Sequence, residues 1–127
     1  MEFLLVFVGG GIGSAMRHGI NVLSLRLLGV QFQYLVSTFC INVLGSFLMG
    51  VMIEYWVLKN SMSQQGQLFI ATGIIGGFTT FSTFILQITL LNSRGEIIDA
   101  TLYVIGSVVV GLGALYVGMV FVRTLSS

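Results

Sequence analysis

The 127-residue chain contains no proline, one cysteine and one histidine, and only five of its side chains are basic and four acidic. Each shortage removes a class of protein. Charged residues make up 7% of the chain and the mean hydropathy is +1.05, whereas an ordinary soluble domain is roughly 25% charged. A soluble fold of this length could not hide the surface exposed by 56% hydrophobic residues, because small domains bury only part of their area. The chain therefore reads as an integral membrane protein. Cys40 lies in mid-span with no second cysteine, which rules out a disulfide within the chain and CxxC metal or redox sites; it serves as a small apolar residue. Glu2, Glu54, Glu96 and Asp99 all fall at the ends of apolar stretches, and His18 has no carboxylate within helical reach. General acid–base chemistry has nothing to work with, and the chain is read as no enzyme. Without proline, helix breaks are left to glycine.

Four windows are long enough to cross a bilayer, which needs roughly 20 mostly apolar residues per helix: Phe3–Leu23, Tyr34–Trp56, Leu68–Leu91 and Ile98–Val122. The gaps hold interfacial punctuation, namely Arg26 with Gly29, Lys59-Asn60-Ser61 and Asn92-Ser93-Arg94-Gly95-Glu96. Residues 1–127 thus read as a single four-helix transmembrane domain. Met1-Glu2 supplies no basic leader and the apolar stretch runs past Gly13 without a cleavage site, so the first stretch is expected to remain as a span. Gly9-Gly10-Gly11-Ile12-Gly13-Ser14 and Gly111-Leu112-Gly113-Ala114 imitate dinucleotide fingerprints, but neither follows a strand. The pairs Gly9…Gly13, Gly73…Gly77, Ser46…Gly50 and Ala114…Gly118 have the small-xxx-small spacing that lets two helix backbones touch.

The third window is the most informative. Thr72 to Phe84 reads Thr-Gly-Ile-Ile-Gly-Gly-Phe-Thr-Thr-Phe-Ser-Thr-Phe. In hydrocarbon every backbone N–H and C=O needs a partner, so a helix broken at Gly76-Gly77 would have to turn its freed groups to a cavity, another chain or an ion. Phe81 and Phe84 are three apart, beside Thr80 and Thr83 on one ridge and Thr79 and Ser82 on another. A phenyl ring has a positive edge, which can partly solvate a small anion without the strong hold of Lys or Arg; conduction requires binding that is favourable but weak. The same rings also suit lipid or core. Asn42 lies near the middle of the second window with Thr38 one turn before it, a spacing that suits a bridge between helices. Asp99, Tyr103 and Ser107 recur every fourth residue and lead to Gly111, either as a wetted track or as contacts to a neighbouring helix. Arg17, in the latter half of the first window, faces an aqueous vestibule or reaches toward headgroups, since burial at the bilayer centre costs at least ~2.5–3.5 kcal/mol.

The run Gly76-Gly77-Phe78-Thr79-Thr80-Phe81-Ser82-Thr83-Phe84 resembles the third-helix signature of the Fluc (CrcB) fluoride channels, and Ser37 to Gly50, with Asn42, is similar to that family's second helix. The glycine-rich first helix with Arg17 and the Gly106-Ser107 pair are weaker matches, so the resemblance touches all four windows. It implies an antiparallel, dual-topology homodimer in the cell membrane, multi-pass, with two narrow pores for fluoride and a structural Na+ at the dimer centre. In that scheme Phe81 and Phe84 are ring-edge ligands, Asn42 an amide donor, Ser82, Thr83, Tyr103 and Ser107 part of the polar lining, and Gly76 and Thr79 the carbonyl donors to Na+. Gln87 stands where the family pattern often has Glu, and Gly111 where a hydroxyl continues the track.

Two other readings make different demands. A small proton-coupled multidrug exporter needs a carboxylate in the middle of the first span, and the residues around Gly13 are Gly, Ile, Ser, Ala and Met. A non-transporting membrane assembly subunit would use the glycines for packing alone and conduct nothing. Charge counting adds a separate expectation. With four spans Lys59 and Arg123 share one side of the membrane, and Arg26 and Arg94 the other; such a tie gives the insertion machinery little reason to choose an orientation.

Overall fold

In the computed structural model of the chain, residues 1–59 and 63–126 are described, with only the backbone given for 30–33. The helical run Glu2–Lys59 is bent at Gly29, whose φ of 78° and ψ of 177° lie outside helical geometry in a region that glycine enters without a Cβ clash. The bend yields two helices, α1 (Glu2–Gly29) and α2 (Tyr34–Lys59). Within the next connection, Asn60 and Ser61 lie outside the described residues. Ser63 then caps the following helix by accepting the Gly66 N–H at 3.1 Å.

That helix, α3 (64–78), is not uniform. Gln64–Gln67 is α-helical, Leu68–Ile75 is a π-helix, and Gly76–Phe78 is α-helical again. Three residues later the chain re-enters a helix as α4 (Ser82–Ser93). A tight turn leads into α5 (Ile97–Ser126): Gly95 adopts a φ of 77°, its N–H bonds Asn92 O at 3.0 Å, and Glu96 N–H bonds Leu91 O at 2.9 Å. This is the Schellman closure, in which a left-handed glycine satisfies the last carbonyls, and it folds α5 back beside α4. Four segments, Glu2–Gly29, Tyr34–Lys59, Gln64–Ser93 and Ile97–Ser126, are long and apolar enough to cross a membrane.

The expected interruption at Gly76-Gly77 is corrected by the structure: both glycines lie within helix Gly76–Phe78, and the chain leaves helical geometry at Thr79 (φ −79°, ψ 160°). The glycines serve a different purpose, the crossing of α1 and α3. A Cβ on Gly77 would stand 2.6 Å from Gly10 O, one on Gly9 would stand 2.5 Å from Phe69 O, and one on Gly13 would overlap Ile74 O. The same device joins α2 to α5, where a Cβ on Gly50 would overlap Leu115 O and one on Gly118 would overlap Phe47 O. All four small-xxx-small pairs read from the sequence thus meet a partner helix at both glycines or at their one glycine, as close-packed membrane helices do.

The small core lies where α2 meets the third span and α5: Ser37, Thr38, Ile41, Ile75, Phe78, Phe84, Gln87, Leu91 and Ala100 are buried. Much of the remaining apolar surface is exposed, as lipid-facing helices require. At the far end of α2, the buried Glu54 takes two bonds from Arg123 of α5, Nε to Oε2 at 3.1 Å and Nη2 to Oε1 at 3.2 Å.

Candidate functional site

At Thr79–Phe81 the third span has to satisfy backbone groups that a continuous helix would pair within itself. Asn42 of α2 does this for Thr80. Its Nδ2 donates to Thr80 O at 2.9 Å and its Oδ1 accepts from Thr80 N–H at 2.9 Å. A carboxamide offers the same donor and acceptor as a peptide group, so one side chain replaces both backbone partners. The bridging reading of Asn42 therefore describes its contacts, with the backbone of the break as the other side. Ser46 Oγ donates to Asn42 O at 2.8 Å one turn along α2.

The pairing with Asn42 has a further effect on the carbonyls. In an uninterrupted α-helix the N–H of Thr80 would go to Gly76 O and that of Thr83 to Thr79 O. Here Thr80 N–H goes to Asn42 and Thr83 N–H to Thr80 Oγ1 at 3.4 Å. The two carbonyls that the family resemblance implies as cation donors, Gly76 and Thr79, thus have their helical donors diverted. Gly76 is exposed and Thr79 half-buried. Neutral carbonyl oxygens of this kind are hard ligands that suit an alkali cation.

Beside the break lies a cavity of about 390 Å³ whose lining includes Asn42, Ser46, Thr79, Thr80, Phe81, Phe84 and Ser107, and no charged residue. Phe81 and Phe84 form a tilted pair with centroids 6.2 Å apart at 49°, and Phe84 continues to Tyr103 at 5.1 Å and 52°. Tilted rings present edges as well as faces. A second cavity, about 500 Å³, is lined by Tyr103, Gly106 and Ser107 and reaches Arg94, Glu96 and Asp99 at the turn between α4 and α5. Ser107 lines both cavities, and its Oγ is buried without a hydrogen-bond partner. A buried hydroxyl without a partner is costly and calls for an explanation.

The structure brings most of the predicted residues together. Asn42, Phe81, Phe84, Thr79 and Ser107 share the first cavity, and Tyr103 joins Ser107 in the second. Thr83 lines a third groove, with Gln87 and Arg94. Ser82 is exposed on the first turn of α4. Arg17 is half-buried on α1, with a buried Nε that has no partner. Gly111 lies near a hydroxyl from another helix, since a Cβ there would be 3.6 Å from Ser46 Oγ.

One group was not foreseen as a unit. Gln87, 4% exposed, donates from Nε2 to Thr38 Oγ1 at 2.9 Å and accepts at Oε1 from the Tyr103 hydroxyl at 2.5 Å. It ties α2, α4 and α5 together. The sequence marked all three residues singly, but pairing across 49 and 16 positions leaves no local signal.

Comparison with known proteins adds a family. The description CrcB-like protein, Camphor Resistance (CrcB), matches residues 4–119. The chain is similar to a protein of Rhodopseudomonas palustris (strain BisB5) named fluoride-specific ion channel FluC, 47% identical over 126 residues that cover 99% of this chain and 100% of that one. Fluoride-specific ion channel FluC 2 of Nitrobacter hamburgensis gives the same identity and coverage. Fluoride-specific ion channel FluC of Granulibacter bethesdensis is 44% identical over 125 residues, 98% of this chain and 97% of that one.

Proposed function

Since the chain belongs to the CrcB-like family, we propose that it is a passive fluoride channel of a bacterial membrane, crossing it several times and letting cytoplasmic fluoride out. The observation that carries this reading is the pair of cavities that share Ser107, one of them beside the break and lined by Phe81, Phe84 and Asn42 with no charged residue. Ring edges and neutral donors hold a small anion weakly enough for it to leave. Hydrogen fluoride is a weak acid that crosses bilayers uncharged and dissociates inside. The membrane potential then drives the anion outward with about 2.3 kcal/mol per 100 mV, and no coupling ion is required.

Phe81 and Phe84 supply ring edges, Asn42 the second hydrogen of its amide, and Thr83, Ser82, Tyr103 and Ser107 hydroxyls along the path; Arg17 draws the anion to a vestibule. Two copies inserted in opposite directions form a homodimer with two pores, which accounts for the Phe81 ring being 74% exposed in a single chain. The diverted carbonyls of Gly76 and Thr79 fit a sodium ion at the dimer centre, where it would supply positive charge between the copies. The proton-coupled exporter reading is disfavoured because the buried carboxylate of Glu54 sits near the end of α2 and is paired with Arg123.

The test is fluoride release from liposomes containing only this protein, followed with a fluoride electrode, with chloride release as control. Rapid fluoride release with little chloride release supports the reading. Equal release of both, or release no faster than from empty liposomes, overturns it.

A further inference from the structure

Gln87 is buried among three helices and uses both ends of its amide, yet the functional reading above gives it no task. Its position sets a problem for Tyr103. A hydroxyl has one proton to donate, and that of Tyr103 is already given to Gln87 Oε1 at 2.5 Å. As it stands, Tyr103 lines the second cavity with no hydroxyl proton left for an anion there.

The amide itself supplies a way out. Its oxygen and nitrogen are nearly equal in size, so turning the group end for end changes hydrogen bonds but hardly changes packing. In the structure Nε2 donates to Thr38 Oγ1, and the Thr38 hydroxyl acts as acceptor. After the turn, Oε1 accepts the Thr38 proton and Nε2 donates to the Tyr103 oxygen. Every amide atom stays paired, and the proton of Tyr103 is free to point into the cavity that Tyr103 and Ser107 line. No proton leaves its oxygen; only the direction of donation along Thr38, Gln87 and Tyr103 reverses.

Resting on the fluoride-channel reading, we propose that Gln87 is a positioning residue whose side-chain amide reverses to release the Tyr103 O–H to a passing fluoride ion and reclaims it when the ion moves on. The burial of Gln87 and Thr38 makes this consequential, because an unpaired amide end there would be costly. It also keeps binding weak. The anion gains a donor only in competition with Gln87 Oε1, so the net hold is a difference between two hydrogen bonds, as rapid passage demands. A carboxylate at 87 could not perform the reversal, since it has no N–H to return to the Tyr103 oxygen.

The test measures initial fluoride efflux from liposomes over a range of internal fluoride concentrations for the parent and for Gln87→Met, Tyr103→Phe and the double variant. Methionine keeps the shape and removes the competing acceptor. Tyr103 should then donate to the anion without hindrance, so that half-saturation falls by about fivefold or more, the gain expected when a hydrogen bond to a charged group replaces one to a neutral group, while the maximal rate also falls. Tyr103→Phe should move half-saturation upward, and the double variant should match Tyr103→Phe. If all variants lose rate at every concentration with half-saturation unchanged, Gln87 is only a structural tie and the proposal is overturned. Should Gln87→Met not assemble, a fluoride-minus-chloride infrared difference spectrum of the parent decides: a tyrosine C–O band that Tyr103→Phe abolishes supports the exchange of partner, and its absence in the parent overturns it. Failure of the parent to release fluoride would strike at the channel reading, whereas a conducting parent with unshifted variants strikes only at Gln87.

Discussion

Replacing Asn42 with Leu keeps the branched side-chain shape and removes the two 2.9 Å bonds that close the break at Thr80. The magnitude follows from what is left behind. A buried backbone donor or acceptor without a partner costs about 1–3 kcal/mol, so the two at the half-buried Thr80 amount to at most about 2–6 kcal/mol. Side-chain hydrogen bonds measured within membranes average about 0.6 kcal/mol each, which sets a floor near 1.2 kcal/mol. Since 1.4 kcal/mol is a factor of ten, even about 2 kcal/mol would lower the population of the intact break roughly thirtyfold. Asn42→Leu should therefore cut fluoride efflux by about eightfold or more and lower the unfolding temperature in detergent. Asn42→Asp should do no better, because its second oxygen would meet the Thr80 carbonyl where a donor is needed. Thr80→Ala is the control: both Asn42 bonds reach the backbone of residue 80, so only the 3.4 Å bond from Thr83 N–H is lost, and more than half of the parent rate should remain. An Asn42→Leu protein with parental unfolding temperature and efflux within twofold of the parent would refute the claim that this amide holds the break.

Phe81→Ile and Phe84→Ile should both depress fluoride efflux sharply with the dimer intact on size exclusion, and Phe84→Ile should also lower thermal stability, because Phe84 is buried against Tyr103 whereas Phe81 is largely exposed; parental rates in both would reduce the rings to packing. Arg17→Gln should slow efflux chiefly at low fluoride if its half-buried guanidinium serves a vestibule, whereas unchanged concentration dependence with a lower melting temperature would make it structural. A reporter on the C-terminus should appear on both sides of the membrane, given two basic residues on each side, and two lysines added after Arg123 should force one orientation; a single orientation above roughly nine in ten in the parent would reject the one-gene dimer.

The spans were legible because hydrocarbon leaves little choice of residue. The windows Phe3–Leu23, Tyr34–Trp56, Leu68–Leu91 and Ile98–Val122 lie inside helices that run up to six residues further, Glu2–Gly29, Tyr34–Lys59, Gln64–Ser93 and Ile97–Ser126. Helices continue into the interface, where Arg26, Lys59 and Arg123 meet water, so an apolarity criterion stops short of them. The π-helix Leu68–Ile75 was not legible, since eight apolar residues read alike at either helical period. The break was misplaced by three residues because glycine has two uses, bending a chain and admitting a neighbour, and only the proximity of Gly10 to Gly77 shows which applies. The ring pair was visible from its spacing. The engagement of Asn42 with a backbone 38 residues away was not, because the residue type announces a need for partners without naming them.

The three residues between Phe78 and Ser82 also join unlike poles. One helix ends before them and another begins after them, and a helix carries the equivalent of about half a negative charge at its end and half a positive charge at its start. A short gap thus sets a cation-attracting pole and an anion-attracting pole in series, using no ionised side chain. Ions of opposite sign drawn to the two poles would each relieve the field of the other. A sequence change that mended this gap into continuous helix would erase both poles in one step, so fluoride passage and the sodium binding proposed above should be lost together and regained together in any revertant.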